Sequence, residues 1–563
     1  MRNEILHKKI EYQNIRDLIE RTSDMYSDRN AFSYRNNPHD KENVTVAFTK
    51  LRENVRALTS KFIEMGIDGK HIAIVGKLSY SWALVYYSVL AAGGVLVPLD
   101  RDWLGADLAD TAKTADVSYI FADADVLDKA ALMKDEAGAV AVYTVSLEGE
   151  NSVGSLMKEG EEIFERNPGA YFNHEIDDKR LSLLVFTSGT TGKGKGVMLN
   201  QRAVLGDMSA AYPYLDFGRK SIALLPPHHT YGSSITLVAH LMIGCEVYIS
   251  AGLKYVTKEF KEQCPEHLVL VPLYLETIYR KTRATLHEKG LYKKVKLLMK
   301  LSNALRKIGI DLRGKLFGQL REVFGGRVRM IISGGAALST DIYDFFDGIG
   351  FSVINGYGIT ECAPIIAVNH TKNNVRGSVG PALPINELKI LEPNENGEGE
   401  ICVRGENVML GYYKNEEATK EAIMEDGFFR TGDYGKLGKD GRVFITGRRK
   451  NLIILSNGKN VYPEEIESEL TAVRGVLDVI VYEGQSKRGL AENKIVAEIY
   501  PDYDFLTKHG IDDPHAYFKP FVDDYNRGAV PYKKIGLIKI RETEFPKNTL
   551  KKIKRFELDT TID

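Results

Sequence analysis

Between His71 and Asp100 the chain carries a single charged residue, Lys77, and this stretch restricts the fold more than any other. "HIAIVG" (71–76) reads as a buried strand. The longest apolar run of the chain follows, "WALVYYSVLAAGGVLVPL" (82–99). It barely reaches the roughly 20 residues that cross a bilayer, and Gly93-Gly94 and Pro98 interrupt it. A buried helix from about Ser81, a turn and a second buried strand, "VLVPLD", account for it better. Strand, helix and strand in this order imply a largely parallel sheet with helices on both faces. The neighbouring segments fit that rhythm. Phe48, Leu51, Val55, Leu58 and Phe62 share one helical face, with Thr49 as a candidate cap. "LSLLVF" (181–186) is another buried strand.

At 563 residues the chain exceeds one ordinary core, so two or more domains are expected. A composition of 44% hydrophobic and 27% charged residues is that of a globular protein. The net charge of -1 argues against a nucleic-acid binder. The cysteines, Cys245, Cys264, Cys362 and Cys402, are too widely spaced for a zinc motif or a disulfide framework, which suits a reducing, cytoplasmic compartment. The opening "MRNEILHKKIEYQNIRDLIE" has no apolar segment of the secretory kind. Charge is nevertheless uneven. From Arg280 to Arg321 the chain turns helical and basic, with Leu297, Leu298, Leu301 and Leu305 as an apolar stripe. A solvated surface helix is the plain reading; contact with anionic lipid or a polyphosphate is the functional one.

The strand at 181–186 feeds "TSGTTGKGKG". Gly189, Gly194 and Lys195 satisfy the start of a Walker loop, but residue 196 is Gly, so the hydroxyl that would hold Mg²⁺ is missing. The apolar Val197, Met198 and Leu199 then read as strand, not as a phosphate-capping helix. Hydroxyls, glycines and Lys195 still suit a polyphosphate. "VRMIISGGAAL" (328–338) and "FSVINGYGITECAPII" (351–366) each read as a strand entering a tight loop. The second brings an aromatic ring (Tyr357), a hydroxyl (Thr360) and a carboxylate (Glu361) within one turn, and a carboxylate beside phosphates calls for Mg²⁺. "FRTGDYG" places Asp433 in a tight turn, where a carboxylate can accept two ribose hydroxyls. In "LPPHHTYG", His228 and His229 are not at metal-ligand spacing. After about residue 394 short strands and Gly turns dominate. A compact tail of helix and strands ends in the basic "PKNTLKKIKR".

In this order, and over nearly the whole chain, these segments resemble the adenylate-forming superfamily of acyl-CoA synthetases, peptide-synthetase adenylation domains and firefly luciferase. The resemblance implies an α/β fold: a large N-terminal domain, 1–450, of αβα sheets plus a small β-barrel-like part, and a small mobile α+β C-terminal domain, 451–563. It implies attack on the α-phosphate of ATP with pyrophosphate leaving. Thr187, Ser188, Gly189, Thr190, Thr191, Gly192 and Lys195 would hold the outer phosphates. Gly335, Ala336 and Ala337 would line the adenine pocket, and Tyr357 would stack on the base. Thr360 would contact the α-phosphate and Glu361 would hold Mg²⁺. Asp433 and Arg448 would take the ribose. His229 would sit at the acyl side, Lys450 at the hinge, and Gly458 on a pantetheine channel. Lys552 matches the catalytic lysine. The family usually has Pro where Gly194 stands and Gly where Lys551 stands, so Lys551 rivals Lys552.

Amino-acid-activating members carry an Asp shortly after the His229 segment; here the chain runs Thr230 to Ser234 without an acid, which favours an apolar acyl group. Gly232, Gly334 and Gly335 are small enough to leave room for a chain. The basic insertion at 280–321 is similar to that of bacterial long-chain fatty acyl-CoA and acyl-[acyl-carrier-protein] synthetases, and peripheral membrane contact would go with it. The resemblance therefore implies a fatty acid ligase using CoA, with an acyl carrier protein as the alternative acceptor. Readings from other classes are a non-catalytic ATP-binding protein and a γ-cleaving NTPase. Glu361, Asp433 and Lys552 together speak against the first.

Overall fold

The computed structural model describes residues 5–187, 194–454, 460–485, 494–547 and 553–562. Its largest sheet has seven strands, in the order Gly411–Tyr412, Lys195–Asn200, Leu181–Thr187, Val95–Leu99, His71–Val75, Val117–Ala122 and Ala141–Thr144. The last five run parallel. The first two are added antiparallel at one edge, so the chain reverses at the Gly-rich loop. The apolar stretch behaves as its composition demands. Ser79 caps the helix Tyr80–Ala91 by accepting from Trp82 N–H, and all twelve helical residues are buried. A helix apolar all round has no solvent face to keep.

The helix Phe48–Glu64 buries Phe48, Leu51, Val55, Leu58 and Phe62. Thr49 does not cap it. The chain turns helical at Phe48, after extended Ala47, which puts Thr49 inside the first turn. A second, four-stranded sheet joins Val44–Ala47, Asn30–Tyr34, Glu246–Ile249 and Lys220–Ala223. A third joins His267–Leu270, Met330–Ser333, Ser352–Gly358 and Ile365–Val368, the last antiparallel. The smaller β part is a five-stranded antiparallel sheet spanning Gly380–Pro381 to Arg442–Arg448. Beyond it, the strands Val476–Gly484, Lys494–Pro501 and Leu537–Ile540 pack with the helices Pro463–Thr471 and Pro514–Gly528 around their own apolar cluster, built entirely from residues after Leu452. Among the described residues no helix is long and apolar enough to cross a membrane.

His240, Cys245 and His267 lie buried together. Their hydrogen bonds fix the ring tautomers. Gly218 N–H donates to His267 Nδ1 at 3.1 Å, so the proton of His267 sits on Nε2 and is shared with His240 Nε2 at 2.9 Å. A metal on His267 Nε2 would require a proton on Nδ1, where an N–H already points, so the trio is a hydrogen-bonded pair beside a thiol and not a ligand set.

Burial holds His240 down at about 4 and His267 well below the ordinary 6.5. The unfolded chain therefore binds more protons than the folded one below pH 6.5. This contribution to stability is full above that value and is lost as the pH falls towards 4. Urea unfolding should show stability falling from pH 7.5 to 5. His240→Gln, which keeps an acceptor for His267, should make that fall shallower by about 2 kcal/mol. An unaltered pH slope in the variant would show that the pair is already charged in the native state.

Candidate active site

Thr187 ends a strand of the seven-stranded sheet, and the loop after Ser333 and the turn after Gly358 follow neighbouring parallel strands of the third sheet. Ligands of open α/β sheets bind beyond such carboxyl ends. Thr187 Oγ donates to Lys195 O at 3.4 Å across the mouth of the Gly-rich loop. Ser188, Gly189, Thr190, Thr191 and Gly192 lie outside the described residues, as do Gly458, Lys551 and Lys552.

One wall is built from Lys195, Tyr412 and Glu361. The Lys195 ammonium sits 4.7 Å from the Tyr412 ring centroid. The Tyr412 phenol donates to Glu361 Oε1 at 3.0 Å. Glu361 stands in the short 3₁₀ turn Thr360–Cys362, and its carbonyl accepts Met409 N–H at 2.8 Å. Tyr413 N–H and Leu410 N–H bond to Gly196 O and Met198 O, so the segment 409–413 is sewn to the strand that carries Lys195. Burial pushes the Glu361 carboxyl above its ordinary value, against the pull of the Tyr412 hydrogen bond. A hard cation would discharge such a carboxylate, and Mg²⁺, which takes few protein oxygens, fits the donor present.

The second wall comes from the antiparallel sheet. Asp433 lies inside the strand Phe429–Leu437, directly across from Arg448, and not in the tight turn expected from "FRTGDYG". Its carboxylate forms an ion pair with Arg448, Nε at 3.1 Å, and accepts from the Tyr357 phenol at 2.9 Å. The residues expected to take the ribose are thus an oriented pair, and Tyr357 braces it. Gly335, Ala336 and Ala337 follow the strand Met330–Ser333 and are exposed. The Lys450 ammonium next along from Arg448 is held below its ordinary value by partial burial and by that guanidinium.

Behind the first wall stands a group that no motif announced. Asp207, on the helix Gln201–Ala211, is fully buried. Its carboxyl accepts Ile365 N–H at 2.9 Å and the Asn407 amide at 2.9 Å. The same amide lies 3.0 Å from Cys362 O and 2.8 Å from Ile365 O. Burial pushes the Asp207 carboxyl well above its ordinary value. Tyr412 and Asn407 were legible only as part of "GENVMLGYY", a β-like stretch, and Asp207 as one polar residue on a helix. A buried Asp at 0% exposure with two donors is a tertiary signal.

On the side expected to take the acyl group, His229 precedes the short helix Thr230–Ser233 and its carbonyl accepts Ser233 Oγ–H at 3.1 Å. Its ring lies tilted at 49° to that of His228, with centroids 4.2 Å apart, and His228 Nε2 lies 3.5 Å from the buried Asp100 carboxylate. Gly232 does not leave room for a chain. A Cβ there would overlap Pro226 O, so its smallness serves the backbone. Gly334 is covered likewise by the Tyr231 ring, 3.0 Å from where its Cβ would be, and Tyr231 donates to Leu270 O at 3.3 Å. Of the basic tail, Lys547 is engaged with Asp478 and Glu544 at 2.7 Å each, and Lys554 with Glu557 at 2.9 Å.

The AMP-binding enzyme family model matches residues 19–413. The chain belongs to the AMP-binding enzyme family. Its architecture is that of the adenylate-forming enzymes. It is 28% identical over 450 residues to a Mycobacterium bovis protein named long-chain-fatty-acid–CoA ligase FadD15, covering 76% of this chain and 73% of the relative. It is 30% identical over 379 residues to an Arabidopsis thaliana chloroplastic protein named long-chain-fatty-acid–[acyl-carrier-protein] ligase AEE15, covering 57% and 52%. The ATP-bound crystal structure of MatB from Rhodopseudomonas palustris superposes with a TM-score of 0.75 at 24% identity, covering 96% of this chain and 98% of that one, which establishes the shared fold.

Asp207→Ala removes the acceptor of two buried donors, each costing about 1–3 kcal/mol when stranded. The variant should unfold in urea with a loss of about 2–4 kcal/mol. It should also lose nucleotide-dependent activity at temperatures where it is still folded, because the Glu361 turn hangs from this site. A variant as stable and as active as the parent would remove Asp207 from that role.

Proposed function

We propose that the chain activates a long-chain fatty acid: a carboxylate oxygen attacks the α-phosphate of ATP, pyrophosphate leaves, and the acyl group of the resulting acyl-AMP passes to the thiol of CoA. The arrangement that supports this most directly is the pair of facing walls, Lys195–Tyr412–Glu361 and Tyr357–Asp433–Arg448. Each has a cation and a carboxylate held by a tyrosine, as a bound nucleotide with phosphates at one end and ribose at the other would require. Lys195 and the hydroxyls from Thr187 to Thr191 would hold the outer phosphates, and Thr360 the α-phosphate. Glu361 would hold Mg²⁺, whose charge would offset that of the departing pyrophosphate. Asp433 would accept the ribose hydroxyls while Arg448 keeps its carboxylate aimed. Gly335 to Ala337 would flank the adenine, with Tyr357 at its face.

We place the domain boundary between Lys450 and Asn451, supported by the separate apolar cluster after Leu452. Lys552 would enter from the small domain and neutralise charge between the carboxylate and the α-phosphate. The ion pairs of Lys547 and Lys554 favour Lys551 or Lys552 for that task. Rotation about Lys450 would then withdraw the lysine and bring Gly458 to the pantetheine. The apolar acyl group is supported by the acid-free stretch after His229 and by the name of the Mycobacterium bovis relative. Transfer to a carrier-protein thiol is the second reading, supported by the plant relative. We place the protein in the cytoplasm, where four free thiols would stay reduced.

Exchange of labelled pyrophosphate into ATP, screened over carboxylic acids, should depend on the acid and peak with long alkyl chains. Orthophosphate release without exchange would indicate γ-cleavage and overturn the reading. Replacing Lys551 and Lys552 together by Ala should slow exchange about 10²–10³-fold with ATP binding retained. Asp433→Ala should raise the KM for ATP about 10–100-fold, the cost of losing a charged hydrogen-bond partner, with a smaller effect on kcat.

A further inference from the structure

The basic segment 280–321 divides its charges. Its helix Tyr292–Arg306 splits the apolar stripe expected there. Leu298 and Met299 pack inward, with the tip of Met299 in the notch left by the missing side chain of Gly348, and Leu297 and Leu301 face out. Arg306 and Arg313 pair with Asp347. Arg280 and Arg283, on the helix Pro272–Glu288, reach the other way, to the C-terminal part. Arg280 Nη1 donates to Val476 O at 3.3 Å and to Leu477 O at 3.1 Å, and Arg283 Nη1 donates to Ala472 O at 3.1 Å. These are carbonyls that the C-terminal part leaves over. Ala472 ends the helix Pro463–Thr471, where backbone oxygens lack helical partners and a cation is favoured. The pairing of Val476–Gly484 with Lys494–Pro501 slips between Val476 and Asp478, so Leu477 faces no residue across.

We propose that Arg280 and Arg283 are positioning residues for the acid-activating step: they latch the C-terminal part with the root of its lysine tail beside the nucleotide cleft, and thiol transfer begins when they let go. This rests on the ligase reading above. The placement of the tail carries it. Asp478, next to the Leu477 carbonyl that Arg280 holds, pairs with the Lys547 ammonium at 2.7 Å. Lys547 bridges to Ile553, and Lys554 N–H donates to Pro546 O at 2.8 Å, so the chain leaves and rejoins this root on either side of Lys551 and Lys552. Burial pushes the Glu276 carboxyl up, and Arg280, Asp478 and Lys547 are among the charges that act on it. Glu276 stands one turn before Arg280 on the same helix. That helix starts after Val271, whose side chain is 3.6 Å from where a Cβ of Gly335 would be, at the loop expected to flank the adenine. Pro272 and Glu276 are about 6 Å apart along the helix axis, so the root of the tail stands close to that loop. The contact is also built to open. Its acceptors are neutral carbonyls that water can serve, so release strands no buried charge. Among the described residues every apolar cluster lies wholly before or wholly after Lys450, so no apolar seam joins the two parts. Lys508 with Glu288 adds an exposed ion pair, worth little on its own.

Two half-reactions of the full chain separate a latch from mere stability. With Arg280→Ala and Arg283→Ala together, exchange of labelled pyrophosphate into ATP with a long-chain acid should slow about tenfold, the cost of losing a few charged hydrogen bonds. Thioester formation from added acyl-AMP and CoA should be unchanged or faster, at unchanged melting temperature. Arg280→Gln with Arg283→Gln should give the same split, which keeps the test open if the alanine pair folds poorly. X-ray scattering without ligands should show a larger radius of gyration for either variant than for the parent, because the C-terminal part is freed. Exchange as fast as in the parent overturns the proposal. So does an equal loss in both half-reactions, which a purely structural role would give. A parent without acid-dependent exchange sinks the ligase reading instead; scattering identical in parent and variants would then overturn the latch as well.

Discussion

A buried carboxyl holds the catalytic face of this fold together. Asp207 accepts from Ile365 and Asn407, residues 158 and 200 positions away along the chain. Three segments with no local reason to meet are thereby pinned: the helix after the strand Lys195–Asn200, the turn bearing Glu361, and the stretch leading to Tyr412. Burying a carboxyl at 0% exposure is costly, so the site is built to give each of its oxygens an N–H donor. Gly358 completes the arrangement. A Cβ there would overlap Pro364 O, so the strand can turn under the Glu361 loop only at a glycine.

The two walls repeat one device. A tyrosine from a different strand donates a phenol hydrogen bond to each carboxylate, Tyr412 to Glu361 and Tyr357 to Asp433. The carboxylates are then aimed before a nucleotide arrives, which is where electrostatic catalysis has its advantage. Lys195 lies over the ring of the first tyrosine and Arg448 against the second carboxylate, so cation and anion alternate along the cleft.

The same economy separates the charges of the 280–321 segment. Its arginines, with planar forks that match carbonyls and carboxylates, are spent on fixed contacts. Its lysines stay in solvent. The composition of the segment announced the charge, but only the seating of Met299 under Gly348 shows which face of the helix carries the exposed leucines.

Local chemistry was written plainly in the sequence. The apolar stretch 71–100 fixed a strand, a helix and a strand, because no other arrangement hides it. That a strand and not a helix follows the Gly-rich loop was legible in Val197 to Leu199; its antiparallel direction was not. Five ordered motifs carried the family and most site residues. Long-range pairings were not legible, since a hydrogen bond between residues 200 apart leaves no periodicity behind. Asp207, Asn407 and Tyr412 had to be found in three dimensions. So did the strand position of Asp433 and the structural duty of Gly232, where a small residue read as open space proves to be filled by backbone. Sequence determines which segments must be buried, through hydrophobicity and spacing; tertiary structure alone decides which polar groups meet there, because that depends on where the buried segments cross.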